Sequence, residues 1–350
     1  MNVPSTLSLV FWELTARCNL RCVHCRASAT ETPDPGELTT DQILAVARDI
    51  RAVADPILVL TGGEPLVRPD FFRIADACVK IFSRVALATN GTLIDDATAQ
   101  KIKATGIQRV SVSLDGADAD THDAFRGLPG SFHQALAGIG ALRKNDISLQ
   151  INVTVTRRNE HQLDDLLQLA LDRGADAFHL FMLVPVGCGA TLDDRHRLGS
   201  HRTEEILRWL FEQSLRLTDR LQIKATCAPQ YFRVMHQAAR EKSIPLPKPR
   251  HALHTLTRGC LAGSGVCFLS RTGDVQPCGY LPVRAGNVLE RNFAAIWNAA
   301  DVFVALRNPG RLLGKCGRCE FRTLCLGCRA RAYAHSGNLL DPDPDCPHQP

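Results

Sequence analysis

The chain is predicted to fold as α/β, with parallel strands alternating with helices, followed by a smaller cysteine-rich unit. Three observations carry this expectation. Six short apolar runs of strand length are each followed by a stretch of helical length. Polar or glycine-containing motifs follow the C-terminal ends of most of these runs. Finally, eight cysteines fall between positions 260 and 346. Alternation alone does not separate a barrel from a doubly wound sheet. The position of the motifs favours the barrel, because barrel enzymes assemble their sites at that face.

The first apolar run, 7–14, leads into Cys18-Asn19-Leu20-Arg21-Cys22-Val23-His24-Cys25. Three thiolates in a Cys-x3-Cys-x2-Cys spacing are one short of the four that normally hold a [4Fe-4S] cluster, which suggests an iron left open for chemistry. Short cysteine spacings serve zinc as well. A polar loop over 27–39 and a helix over 40–54 follow. The run 56–60 ends in Thr61-Gly62-Gly63-Glu64-Pro65. Glycines there let the backbone approach a ligand closely, although an ordinary strand-to-helix turn uses them too. Next come a helix near 70–82, a strand 85–89 and a helix 95–105. They are followed by a strand 109–114, a helix 131–144, a strand 149–155 and a helix 160–173. The sixth run, 177–184, precedes a loop and a helix over 203–217. Thr89-Asn90-Gly91, Ser113-Leu114-Asp115-Gly116 and Pro185-Val186-Gly187 all sit at strand ends.

From 221 the regular pattern stops. Residues 231–241 have helical character, and the basic, proline-punctuated stretch 243–254 reads as a linker or lid. Runs 266–270 and 275–278, joined by Arg271-Thr272-Gly273-Asp274, read as a β-hairpin. Cys316, Cys319, Cys325 and Cys328 supply thiolates over short loops, as iron–sulfur and zinc sites both require. Cys78 and Cys227 lack neighbours in sequence and read as packing residues.

With 350 residues, 45% of them hydrophobic, the chain can bury a large core, and its length suggests about two domains. A net charge of +5 is too small and dispersed for nucleic-acid binding and better suits a polyanionic small molecule. No membrane-spanning run or signal peptide is apparent, which points to the cytoplasm. In that reducing compartment, fourteen cysteines imply metal binding or catalysis rather than disulfides.

The Cys18, Cys22 and Cys25 spacing resembles the cluster motif of the radical S-adenosylmethionine (SAM) enzymes. Gly273-x4-Cys278 and Cys316-x2-Cys319-x5-Cys325, with the distant Cys346, resemble their SPASM or shortened twitch extension. The resemblance implies a partial (β/α)6 barrel over 1–222, a linker or lid over 223–258 and an auxiliary-cluster domain over 259–350. It implies a [4Fe-4S] cluster that binds SAM, with Gly62, Gly63 and Glu64 at the methionyl amino end and Asn90, Ser113 and Asp115 near the ribose and carboxylate. Ser113 and Asp115 also suit a helix-capping turn. An auxiliary [4Fe-4S] cluster is implied on Cys316, Cys319, Cys325 and Cys346. A second is an open expectation on Cys260, Cys267, Cys278 and Cys328, which equally suit a packed, reduced core. Cys325-x2-Cys328 departs from the usual three intervening residues, and His24 stands where an aromatic often precedes the last cysteine.

Segments 259–263 through 277–282, and 315–317 through 327–332, resemble the haem b synthases of the alternative, sirohaem-dependent pathway. The implied reaction converts iron-coproporphyrin III to haem b, turning two propionates into vinyl groups. Hydrogen abstraction at a propionate β-carbon, loss of carbon dioxide and departure of one electron balance each conversion. An auxiliary cluster can accept that electron, whereas zinc cannot. Arg250, Arg258, Arg284, Arg329 and Arg331 are candidates for the porphyrin carboxylates. Tyr280 is a further hydrogen-bond donor, and His179, His251 and His254 are candidate iron ligands. The pathway also implies an electron donor such as flavodoxin or ferredoxin. Other readings are a didecarboxysirohaem deacetylase, a haem d1 maturase, a peptide-modifying SPASM maturase, or a metal- or haem-binding carrier without catalysis.

Overall fold

The computed structural model describes residues 6–192, 195–246 and 259–350. Strand β1 (Leu9–Glu13) buries Val10 and Trp12 on one face and turns Leu9 and Phe11 to the other, as a period of two requires. It pairs in parallel with β2 (Ile57–Thr61). The parallel series continues through β3 (Val85–Thr89), β4 (Arg109–Ser113), β5 (Ser148–Val155), β6 (Ala177–Met182) and β7 (Gln222–Thr226).

Helices return the chain between these strands. They are α1 (Thr40–Val53), α2 (Phe71–Ile81), α3 (Asp96–Thr105), α4 (Ala119–Arg126), α5 (Ser131–Lys144), α6 (Leu163–Asp172) and α7 (Ser200–Arg216). In α1, Ile43, Val46, Ala47 and Ile50 form one buried stripe at helical spacing. Its start is set by a capping box in which the Thr39 hydroxyl accepts from Gln42 N and the Gln42 side chain accepts from Thr39 N. The helix faces and the outer faces of the strands share one core, which also holds Cys78, buried in α2 as the sequence suggested.

After β7 comes α8 (Tyr231–Glu241), then the hairpin β8 (Val266–Leu269) and β9 (Asp274–Gln276), with β10 (Gly286–Asn287). The C-terminal helices are α9 (Phe293–Ala299), α10 (Asp301–Leu306), α11 (Gly314–Arg318) and α12 (Arg329–Ser336). The sheet order is β10-β9-β8-β1-β2-β3-β4-β5-β6-β7, so its two edges remain apart and the barrel is partial. Inward-facing side chains from β1 through β7 nevertheless line one cavity, which requires the sheet to curl.

Three features differ from expectation. A seventh parallel strand continues past 221, and the linker expected from 223 therefore begins inside β7 and includes α8. Helix α4 is an extra element, begun by Asp118 accepting from Thr121 N and ended by Gly127 at φ +67°. The expected hairpin is present, but β8 pairs with the free edge of β1, so the cysteine-rich unit extends the barrel sheet. Among the described residues, no helix is long and apolar enough to cross a membrane.

Candidate functional site

The loop after β1 is held by backbone bonds from two sides. Cys18 N donates to Thr30 O, while Arg21 N and Val23 N donate to Arg126 O and Phe125 O at the end of α4. This places Cys18, Cys22 and Cys25 on the wall of a cavity of about 1040 Å³. Burial above all, with the charges of Glu64, Cys22 and Cys25 adding to it and the Leu20 amide opposing, raises the Cys18 thiol to about 11. Burial also raises Cys22, which the Arg126 guanidinium opposes. Donors stand ready for thiolate sulfur: Leu20 N lies 3.4 Å from Cys18 Sγ, and Arg126 Nη1 lies 3.7 Å from Cys22 Sγ. Three thiols on one cavity wall with such donors fit a three-cysteine iron–sulfur cluster, whose binding would deprotonate them.

Gly62 and Gly63 line the cavity, pressed against the cysteine loop. Gly63 N donates to Thr15 O at 2.7 Å, and a Cβ on Gly63 would lie 2.3 Å from Arg17 O. Asn90 and Ser113 also reach the cavity wall. Glu64 does not. Its fully buried carboxylate accepts from the Thr89 hydroxyl, Asn90 N and Leu66 N, tying the end of β2 to the end of β3. Asp115 requires a correction as well. It is fully buried behind the loop, 2.6 Å from Arg126 Nη2 and 3.2 Å from His24 Nε2, and Thr154 N donates to it. Burial alone would raise its carboxyl, but Arg126 and His24 hold it well below the usual carboxylate range. Asp115 therefore orients the cysteine loop from behind instead of facing a bound SAM.

The C-terminal cysteines fall into two groups. Cys227, Cys260, Cys278 and Cys328 all line the same large cavity, and the last three each raise the Cys227 thiol after burial. Cys227, expected to be a packing residue, lines the cavity, and Cys267, left open between cluster ligand and packed core, lies in the core; as cavity-lining residues the two exchange places. Cys267 points into the core from β8, where burial alone raises its thiol. The pattern hides this exchange because Cys227 lies more than thirty residues before the next cysteine of the group.

Cys316, Cys319, Cys325 and Cys346 surround a second, small cavity. Each sulfur has its own N–H donor: Arg329 Nη2 at 3.8 Å from Cys316, Phe321 N at 3.4 Å from Cys319, Gly327 N at 3.4 Å from Cys325 and Arg233 Nη2 at 3.7 Å from Cys346. Four thiols so furnished fit an iron–sulfur cluster, whose sulfurs are stabilised by such bonds.

The arginine candidates separate clearly. Arg329 serves the small cavity and the backbone of Leu339 and Asp341. Arg331 is buried in an ion pair with Asp343, at 2.9 Å, and with Asp345. Arg284 is half-exposed on the hairpin, paired with Asp274 and Glu290, away from the cavity. None of the three lines the large cavity. Arg250, Arg258, His251 and His254 lie outside the described residues. Tyr280 and His179 do line the cavity. So does Arg26, unforeseen in the sequence, which bonds Gly279 O at 3.2 Å and stacks 4.6 Å from the Phe268 ring centre, joining the first cysteine loop to the hairpin. Arg126 was missed with its helix, although the Asp118 and Gly127 caps were readable signals.

Residues 12–170 match the radical SAM superfamily, and 260–320 match the SPASM iron–sulfur cluster-binding domain. The chain is 48% identical to the AdoMet-dependent heme synthase of Methanosarcina barkeri, over 98% of this chain and 97% of that one. It is 44% identical to the AdoMet-dependent heme synthase of Nitratidesulfovibrio vulgaris, over 99% and 93%. Among solved structures, Streptococcus suis SuiB bound to S-adenosylmethionine superposes with a TM-score of 0.78 at 14% identity, covering 98% of this chain and 78% of that one. That likeness speaks for the fold, an open parallel barrel with a C-terminal extension. With full-length similarity to two heme synthases and matches to both domains, the chain belongs to the radical SAM enzymes that carry a SPASM iron–sulfur domain.

Proposed function

We propose that this enzyme converts iron-coproporphyrin III to haem b by oxidative decarboxylation of two propionates to vinyl groups. The observation that carries the reading, beside the heme synthase relatives, is a single cavity that adjoins both the three-cysteine loop and the group Cys227, Cys260, Cys278 and Cys328. Two jobs need those two places. When bound, the first cluster supplies the electron that splits SAM into methionine and a deoxyadenosyl radical, which abstracts hydrogen. Each vinyl group also requires one electron to leave the substrate, and the four-cysteine group stands on the same wall, where an iron–sulfur acceptor would receive it.

The chain's own residues arrange the rest. Gly62, Gly63, Asn90 and Ser113 would line the seat of SAM next to the cysteine loop. Arg26 braces the wall between the two cysteine groups. His179 and Tyr280 would meet the porphyrin, the first as a ligand to its iron and the second as a donor to a propionate. The small cavity of Cys316, Cys319, Cys325 and Cys346 would hold an outer cluster on the way to external electron partners, with flavodoxin or ferredoxin as donor in the cytoplasm.

Anaerobically reconstituted enzyme with iron-coproporphyrin III, SAM and a reductant should release two carbon dioxide molecules per haem b formed. Intact clusters and SAM cleavage without any vinyl product would refute this substrate.

A further inference from the structure

The inner wall of the barrel is chemically divided. On β1–β3 it is built from residues such as Phe11, Val59, Ala86 and Ala88, whereas β4–β7 present polar side chains. One row of that polar half is continuous across four strands: Ser113 pairs in register with Asn152, Asn152 with His179, and His179 with Lys224. All four line the cavity. Lys224 ends the row on β7, three residues before Cys227, about 10 Å along the strand.

We propose that Lys224, beside His179 on the polar row, binds a propionate carboxylate of the substrate porphyrin. This rests on the function proposed above and adds the group that would recognise the substrate's charge. The charge balance of the wall supports it. Arg26, Arg84, Arg109, Arg126 and Lys224 face the cavity, against Asp55 as the one carboxylate among its described lining residues. Asp55 is itself engaged by the Ser83 amide at 3.1 Å and by Arg51. Three of the arginines are also committed: Arg126 to Asp115, Arg109 to Ser148 and Gln222, and Arg26 to Gly279 and Phe268. Burial lowers the Lys224 ammonium to about 8, with no protein carboxylate contributing against it. A cation desolvated inside a ligand cavity is stabilised by an anion brought in with the ligand.

The test uses the reconstituted holoenzyme and titrates iron-coproporphyrin III by its Soret band, and SAM separately, in the wild type, Lys224→Met, Lys224→Gln and Lys224→Arg. Loss of a charged hydrogen-bond partner is expected to weaken porphyrin binding about 10- to 100-fold in the Met and Gln variants. Arg should restore it to within about threefold, because the charge and donor remain. SAM affinity and iron content should stay as in the wild type. Unchanged porphyrin affinity in both neutral variants, or a loss of SAM affinity in place of porphyrin affinity, overturns the proposal. If the wild type itself does not bind iron-coproporphyrin III, the function proposed above fails and this inference with it. Tight wild-type binding with unaffected variants removes the lysine alone.

Discussion

The Arg126 guanidinium joins a buried carboxylate to a cluster thiol: Nη2 lies 2.6 Å from Asp115 Oδ2, and Nη1 lies 3.7 Å from Cys22 Sγ. Asp115 is fully buried and Arg126 nearly so, so water offsets little of either charge, and each depends on the other. A positive charge beside a thiolate favours the more negative, reduced state of the bound cluster. Arg126→Met should therefore lower the reduction potential of the SAM-binding cluster by something on the order of tens of millivolts. It should also destabilise the fold by about 3–5 kcal/mol, because Asp115 is left buried and unpaired. Redox titration followed by EPR, together with thermal unfolding, checks both effects. Arg126→Gln with Asp115→Asn, which removes both charges, should recover much of the stability and part of the potential, because the opposing charge of Asp115 is lost as well.

The exchange of Cys227 for Cys267 makes a second prediction. Cys227→Ala should remove roughly four irons and four sulfides per chain, one cluster's worth, while SAM binding persists. Cys267→Ala should keep the full iron content and lose about 1 kcal/mol of stability through a small core cavity. Iron and sulfide analysis of the two purified proteins decides between them. A normal iron content in Cys227→Ala would return that residue to a packing role.

Much of this site was legible because its chemistry depends on local spacing. Cys18, Cys22 and Cys25 share one loop, Gly62 and Gly63 follow one strand, and six strands show apolar runs long enough to read. What escaped notice depends on the fold bringing distant residues together. β7 is five residues, Gln222–Thr226, in which Ile223 and Ala225 alternate with polar residues, a strand signal distinct from the apolar runs that mark most of the earlier strands. With it went Lys224 and the approach of Cys227 to Cys260, Cys278 and Cys328. The arginines were misjudged for a related reason: charge is visible in sequence, whereas a partner such as Asp343 beside Arg331 is set by tertiary packing.

That ion pair can be tested directly. Arg331 and Asp343 are both buried, and Asp343 also accepts from Cys328 N at 2.8 Å. Arg331→Met should cost about 3–5 kcal/mol of stability through the stranded carboxylate. In the fraction that folds, the KM for porphyrin should be unchanged within about twofold, since the side chain does not line the large cavity. A rise in KM with normal stability would restore Arg331 as a substrate contact. Denaturant unfolding and steady-state kinetics provide the two readings.

Gly63 gives the final prediction, because its requirement is backbone space and not flexibility. Its amide donates to Thr15 O, and the following Glu64 N donates to Arg17 O at 2.8 Å, so the turn after β2 is stitched to the cysteine loop by two backbone bonds. A methyl group at Gly63 would fall 2.3 Å from Arg17 O and 2.6 Å from Ala16 O, neither of which can rotate away as a side chain could. Gly63→Ala must therefore separate the two loops, and one of them carries Cys18 at its edge. The expected result is a loss of about 1–3 kcal/mol in stability, typical of overpacking. SAM affinity should fall at least tenfold, a change of about 1.4 kcal/mol, because the glycine turn and the cluster loop would no longer share one surface. Gly62→Ala meets Thr15 O at the longer distance of 2.9 Å and should show the same changes to a smaller degree. Equal SAM affinities in the wild type and both variants, measured by equilibrium dialysis on reconstituted protein, would show that this contact does not shape the SAM seat.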